Sequence, residues 1–260
     1  MRIIVNADDF GQDDDTVGAT IECFERGALT GATIMPKMPA TSKAIEFAKH
    51  HPEFSFGVHL TYVRENDTTP ESPLCPPGDV PALTDSDGRF LPSNLVRRRA
   101  MLGQIPVDQI ERETTAQIES LLALGIAISH VDSHGHLHKF KPFREALMKV
   151  LPRFGITKVR NVQDVYLTKP LKSPTFWFGP FWGKKLRQHF KSPDHFFMPD
   201  SLADRDWPAT LPARVNGASL EVGVHPGYQE TWRSSDRMAV QAFAVGIKAA
   251  GHELIGWKDL

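Results

Sequence analysis

The chain has 260 residues, enough for one large α/β unit or two small ones around a sizeable buried core. Hydrophobic residues make up 41%, charged residues 23%, and the formal net charge is −1, so bulk charge gives no reason to expect nucleic acid or an anionic membrane as a partner. Cys23 and Cys75 form no CxxC pair, the N-terminus is not signal-like, and no apolar run approaches about 18 residues; the expectation is a cytoplasmic protein with no membrane span.

The chain opens with Arg2-Ile3-Ile4-Val5, a β-branched apolar run that reads as a buried strand. Val17, Ile21 and Phe24 share one helical face, with aspartates 13 to 15 at its start and Gly27 at its stop. Ala32-Thr33-Ile34-Met35 reads as a second strand and the surroundings of Ala44, Phe47 and Ala48 as a helix. Residues 54–60 alternate into a third strand. Residues 64–92, rich in Pro, Asp, Ser and Thr, read as a long surface excursion beside a ligand site.

A helix is predicted from Pro106 to Leu124, its inner face Ile110, Thr114, Ile118, Leu121 and Leu122, stopped by Gly125. Residues 127–131 make the strand that delivers a histidine-rich stretch. A helix from about 142 to 154 and a short strand at 158–160 follow. From about 161 to 215 the chain is rich in Pro, Phe and Trp without a clear period. Its FWFGPFW segment (176–182) reads as an aromatic lid or a packed insertion, and together with the proline-rich excursion it is a candidate contact in a homodimer. Residues 219–224 read as a strand, 235–250 as a helix and 252–255 as a last strand. Strands alternating with helices point to a mainly parallel sheet or barrel, in a single domain over 1–260 with irregular insertions at about 64–92 and 161–215.

Four of these strands end in unusual polar groups: Asn6-Ala7-Asp8-Asp9-Phe10-Gly11, Gly57-Val58-His59-Leu60, Asp132-Ser133-His134 and His225-Pro226-Gly227-Tyr228. In parallel α/β folds the C-terminal strand ends share one rim, so the four runs predict one pocket. Each has a bland alternative: Asp8-Asp9 a turn before Gly11, His59 a satisfied core histidine, His225-Pro226-Gly227 a plain turn. The stretch HVDSHGHLH (130–138) is harder to dismiss, because histidines on one side of a strand repel when charged. One Asp and two His suit a catalytic divalent metal, and an adjacent carboxylate can take a proton from bound water. No GxSxG, Walker or GxGxxG motif is present.

NADDFG, GVHL, DSHGHLH and HPGY, in this order and closing with Leu254-Ile255-Gly256-Trp257, resemble the YdjC-like carbohydrate deacetylases, which include chitooligosaccharide deacetylases and hopanoid-associated relatives. The likeness spans nearly the whole chain and is least between 161 and 215. It implies a distorted (β/α) barrel with helices outside that removes acetyl groups from N-acetylated sugars. Carried over, Asp9, His59 and His134 would ligate one divalent metal ion. Asp8 would be the general base, and His225 the general acid or a transition-state stabiliser. His136 and His138 would be supporting or substrate-facing groups, and Asp132 would orient a ligating histidine. Family members are described with magnesium, whereas two imidazoles favour zinc, cobalt or manganese, which leaves the ion open between Mg and Zn. Two departures stand out: Gln12-Asp13-Asp14-Asp15 after Gly11, and Val222-Gly223-Val224 before His225. Arg160, at a strand end, could neutralise Asp8, hold an oxyanion or be an ordinary surface arginine. The competing functions are another metal-dependent hydrolase on a barrel, a phosphoesterase or amidohydrolase, and a carbohydrate-binding protein without turnover.

Overall fold

The computed structural model describes residues 1–65, 72–200, 203–204 and 206–260. Six strands, β1 (Arg2–Phe10), β2 (Gly31–Ile34), β3 (Ser55–Leu60), β4 (Val131–Ser133), β5 (His195–Phe197) and β6 (Ser219–Val224), run parallel in the order β4-β3-β2-β1-β6-β5. A short β7 (Glu253–Leu254) pairs with the first residues of β1. Residues on both faces of β1, β2, β3 and β6 are buried, which is why their sequences are mainly apolar rather than alternating, with buried exceptions that include Asn6, Asp8, Asp9, His59 and Glu221. Single parallel bridges, Val131 to Val159, Lys158 to Lys191 and Val165 to Phe197, step across the gap between the edge strands β4 and β5. The curled sheet is therefore a distorted barrel, as the resemblance implies and as the alternation of strands and helices allows.

Helices α1 (Asp14–Glu25), α2 (Thr41–His50), α3 (Ser93–Met101), α4 (Val107–Ala123), α5 (Lys141–Val150), α6 (Pro174–Arg187), α7 (Trp207–Thr210) and α8 (Thr231–Ala249) surround it. The Asp13 side chain accepts from the Thr16 backbone N–H at 2.8 Å and caps α1, while Asp15 Oδ2 accepts from the Tyr228 N–H at 2.8 Å. The acidic departure after Gly11 thus has structural work: it starts α1 and ties it to the HPGY loop. In GVHL, a Cβ on Gly57 would come within 2.7 Å of the His130 ring and carbonyl, so only glycine lets β3 lie beside that histidine.

Several expectations change. The strand predicted at 127–131 is β4, Val131–Ser133, although Ser129 and His130 still bond to β3 through Phe56 and Val58. The short strand at 158–160 is reduced to bridges. The proline-rich excursion is not a mere surface loop over its described part, since Val80, Leu83, Phe90 and Leu91 are buried in the core; residues 66–71 lie outside the described ones. The region read as having no period holds β5, α7 and a helix, α6, built on FWFGPFW itself. No helix among the described residues is long and apolar enough to cross a membrane.

Candidate metal centre and active site

Asp8 and Asp9 are consecutive, and in a regular strand they would face opposite ways. Between Ala7 and Phe10, β1 carries one residue more than β2 opposite it, and Asp9 takes φ 59°, the left-handed region that non-glycine residues rarely enter. This bulge turns both carboxylates to the C-terminal rim, the kind of backbone strain that persists where surrounding bonds over-determine it. Arg233 Nη2 fixes Asp9 Oδ2 at 2.8 Å.

On the neighbouring strands His59 stands in register with Asp132, and their side chains meet: His59 Nδ1 lies 2.7 Å from Asp132 Oδ1, with Thr33 Oγ1 donating to Asp132 Oδ2 at 3.0 Å. That contact fixes the imidazole and aims Nε2 at Asp9 Oδ1, 3.3 Å away. His134 follows β4 directly and brings Nδ1 within 2.9 Å of the same oxygen. Ligand atoms of Asp9, His59 and His134 all lie within 4.8 Å of one another. Atoms about 2.0–2.2 Å from a shared ion sit roughly 3–3.6 Å apart, so the three fit a divalent cation with little movement.

The chain turns at Gly135 (φ 64°) and His136 (φ 53°), and the even-number parity of the histidine run ends there. His136 Nε2 then rests 3.3 Å from Met198 Sδ. His138 is buried against Ser133 Oγ at 2.8 Å, and His130 stacks on Trp257 at 4.3 Å. The stretch supplies His134 to the candidate cation site; its other histidines line the pocket wall or brace the core.

Arg160 is no surface arginine. It is fully buried and makes four hydrogen bonds, to Asp8 at 2.5 and 2.7 Å and to Glu221 at 2.9 and 2.7 Å, while its Nη1 pairs with Asp132 Oδ2 at 2.7 Å. Its donors are turned to these three acids, and it does not line the pocket over the site. Asn6 Nδ2 donates to Asp8 Oδ1 at 3.0 Å, so the remaining acceptor position of Asp8 is on Oδ2, 4.0 Å from His225 Nε2. His225 Nδ1 is backed by Asp236 Oδ2 at 3.6 Å, which also accepts from the His225 backbone N–H at 3.0 Å.

The buried charges around this point are unbalanced. Asp8, Asp9, Asp132 and Glu221 are buried, and among the described residues Arg160 and Arg233 are the guanidiniums that touch them, two fewer than the acids before any imidazole is counted. Burial alone would raise Asp9, yet His134, His59 and Arg233 hold it well below the ordinary carboxylate range. Burial alone would depress His59, but Asp132, Asp9 and Asp8 raise it to about 10. The acids favour positive charge where the two imidazoles meet Asp9, whether from a protonated imidazole or from a bound cation.

Burial pushes Glu221 up to about 7 against the pull of Arg160. A carboxyl raised on folding binds its proton more tightly in the native state, so its contribution falls as pH rises from about 4.5 through 7. Glu221→Gln is expected to remove roughly 3 kcal/mol of that loss. Urea midpoints of the chelated protein at pH 5 and pH 8 should differ less in the variant than in the wild type; an unchanged difference refutes it.

The pocket over these residues has a volume of about 510 Å³ and is walled by Gln12, Glu65, Arg97, Trp232 and Arg233 besides the residues above. A second cavity of about 530 Å³ adjoins it, sharing Arg97, His136 and Met198. Sequence reading missed Arg233, Asp236, Glu221 and Thr33. An acid inside the otherwise apolar run Ser219–Val224 was the one available signal, because a strand buried on both faces holds a charge only where a partner meets it.

Fold and site together define a parallel α/β barrel whose strand-end rim gathers one aspartate and two histidines around a point, with a second carboxylate beside them. Within that class the chain belongs to the YdjC-like protein family, whose model matches residues 2–253. A carbohydrate deacetylase of Geobacillus stearothermophilus is 33% identical over 227 residues, covering 86% of this chain and 79% of that one. One of Brevibacillus brevis is 34% identical over 234 residues, covering 88% and 82%. A solved structure from Enterococcus faecalis V583, of a protein proposed to cleave cellobiose phosphate, shares the fold with a TM-score of 0.81 over 99% of this chain and 98% of its own, at 21% identity.

Proposed function

We propose that the protein is a metal-dependent deacetylase of N-acetylated sugars, releasing acetate and a free amine. The observation that carries this reading is the meeting of Asp9, His59 and His134 at one point with Asp8 and His225 beside it; the names of the curated relatives support it. Asp9, His59 and His134 would hold the cation, Mg or Zn, and two imidazoles favour the softer ion. Bound there, it supplies a polarised carbonyl and an acidified water.

The chain's own groups do the rest. Asp132 fixes the tautomer of His59 and Arg233 the orientation of Asp9. Asp8, clamped by Arg160, presents the open side of Oδ2 to the pocket and takes the proton of the attacking water. His225, steadied by Asp236, gives a proton to the departing nitrogen as the carbon–nitrogen bond breaks. The adjoining cavity leaves room for a second sugar unit, which supports an oligosaccharide substrate.

Acetate release from a panel of N-acetylglucosamine oligomers, by protein of measured metal content, tests the proposal; no release across the panel refutes it. His134→Ala is expected to lower metal affinity about 10- to 100-fold or more, read by metal analysis after dialysis. Full retention of metal would remove His134 from the site.

A further inference from the structure

The net charge of −1 hides a strong segregation. Between residues 165 and 193 the chain carries Lys169, Lys172, Lys184, Lys185, Arg187 and Lys191 and no acid, so the rest of the chain is net acidic. Among the described residues none of these six forms an ion pair. Within this segment α6 buries Gly179, Gly183 and Leu186 and turns the opposite face outward. On that face Trp177, Phe178 and Phe181 are 64%, 52% and 57% exposed, and Leu171, at 60%, sits beside them with its carbonyl accepting from Trp177 Nε1 at 2.8 Å. Residues 177, 178, 181, 184 and 185 follow helical spacing, so the aromatic face runs on into two lysines.

Exposed aromatic rings are costly in water, and contiguous with lysines that form no ion pair they match the interface of an anionic bilayer, where rings enter the acyl boundary and lysines reach lipid phosphates. We infer that α6 is a docking face for an anionic lipid surface. A second copy of the chain fits less well, because a two-fold contact would set these cations against each other. The docked face lies next to the pocket. Lys139 Nζ donates to Thr175 Oγ1 at 2.9 Å, and Ser173 and Thr175, at the start of α6, line the cavity that adjoins the cation site. The inference stands on this surface alone and does not depend on the chemistry proposed for the pocket.

The test is co-sedimentation of the full chain with phosphatidylcholine vesicles, with and without phosphatidylglycerol. Binding is expected only with phosphatidylglycerol and should weaken as salt rises. Lys184→Ala with Lys185→Ala should weaken it roughly thirtyfold, about fivefold per lysine. Trp177→Ser, Phe178→Ser and Phe181→Ser together should weaken it by about a hundredfold or more. None of the five side chains is buried, so circular dichroism and activity on a soluble substrate should be unchanged. Absence of wild-type binding at low salt, equal binding to both vesicle types, or wild-type binding by the aromatic variant overturns the inference. So does a dimer in sedimentation velocity that the aromatic variant dissolves, in a protein that ignores vesicles.

Discussion

Asp8→Asn is expected to lower kcat for acetate release by about 10²–10⁴-fold while bound metal stays at the wild-type level. The carboxylate stands between the candidate cation site and His225, with Oδ2 4.0 Å from His225 Nε2. Arg160 and Asn6 occupy the other acceptor positions of the carboxylate. Despite burial, Arg160, together with His59 and His225, lowers the Asp8 pKa to about 2. A base so weak is ionised at all working pH values and passes on quickly any proton it takes; asparagine cannot accept one at all. Metal content separates two arrangements of the site. Asp8, His59 and Asp132 also lie close enough to hold an ion. If Asp8→Asn loses metal along with activity, that second cluster is the true one and Asp9 is the free carboxylate. If it stays within a few-fold of wild-type activity, Asp8 is not the proton acceptor.

Much of this site was legible because its parts are local. NADDFG, GVHL, DSHGHLH and HPGY each place a polar group just after an apolar strand, and parallel topology carries them to one rim. What the sequence hides is set by contacts distant along the chain. Period-two reasoning puts Asp8 and Asp9 on opposite faces, and only the bulge at Asp9 overrides it. Arg160 follows a run too short to place, and its burial is decided by Asp8, Asp132 and Glu221, each on a different strand. The helix over FWFGPFW is obscured by Gly179, Pro180 and Gly183, poor helix formers whose cost is offset by packing of the glycine face on Val162 and Asn161. Averaging charge over the whole chain likewise hid the cationic segment around α6.

Arg160→Met is expected to cost about 3–5 kcal/mol of stability at neutral pH, because it strips the shared counter-charge from three buried carboxylates while leaving them in place. Arg160→Lys should restore only part of this: one ammonium with three donors cannot span both oxygens of Asp8 and also reach Asp132 and Glu221. The pH dependence distinguishes lost charge from lost packing. In the wild type the Asp8 carboxyl, lowered from 3.8 to about 2, contributes stability that is present above 3.8 and disappears as pH falls through 2. In the variant, burial acts on Asp8 without its guanidinium, so that carboxyl is raised and protonation relieves the strain. The gap in urea midpoint between wild type and Arg160→Met should therefore be widest near neutrality and narrow below about pH 4. Both proteins are to be measured with chelator, since metal bound to the native state would add its own linkage. A gap under about 1 kcal/mol, or one that stays constant toward acid, would mean that Arg160 acts by volume and that the buried acids are compensated elsewhere.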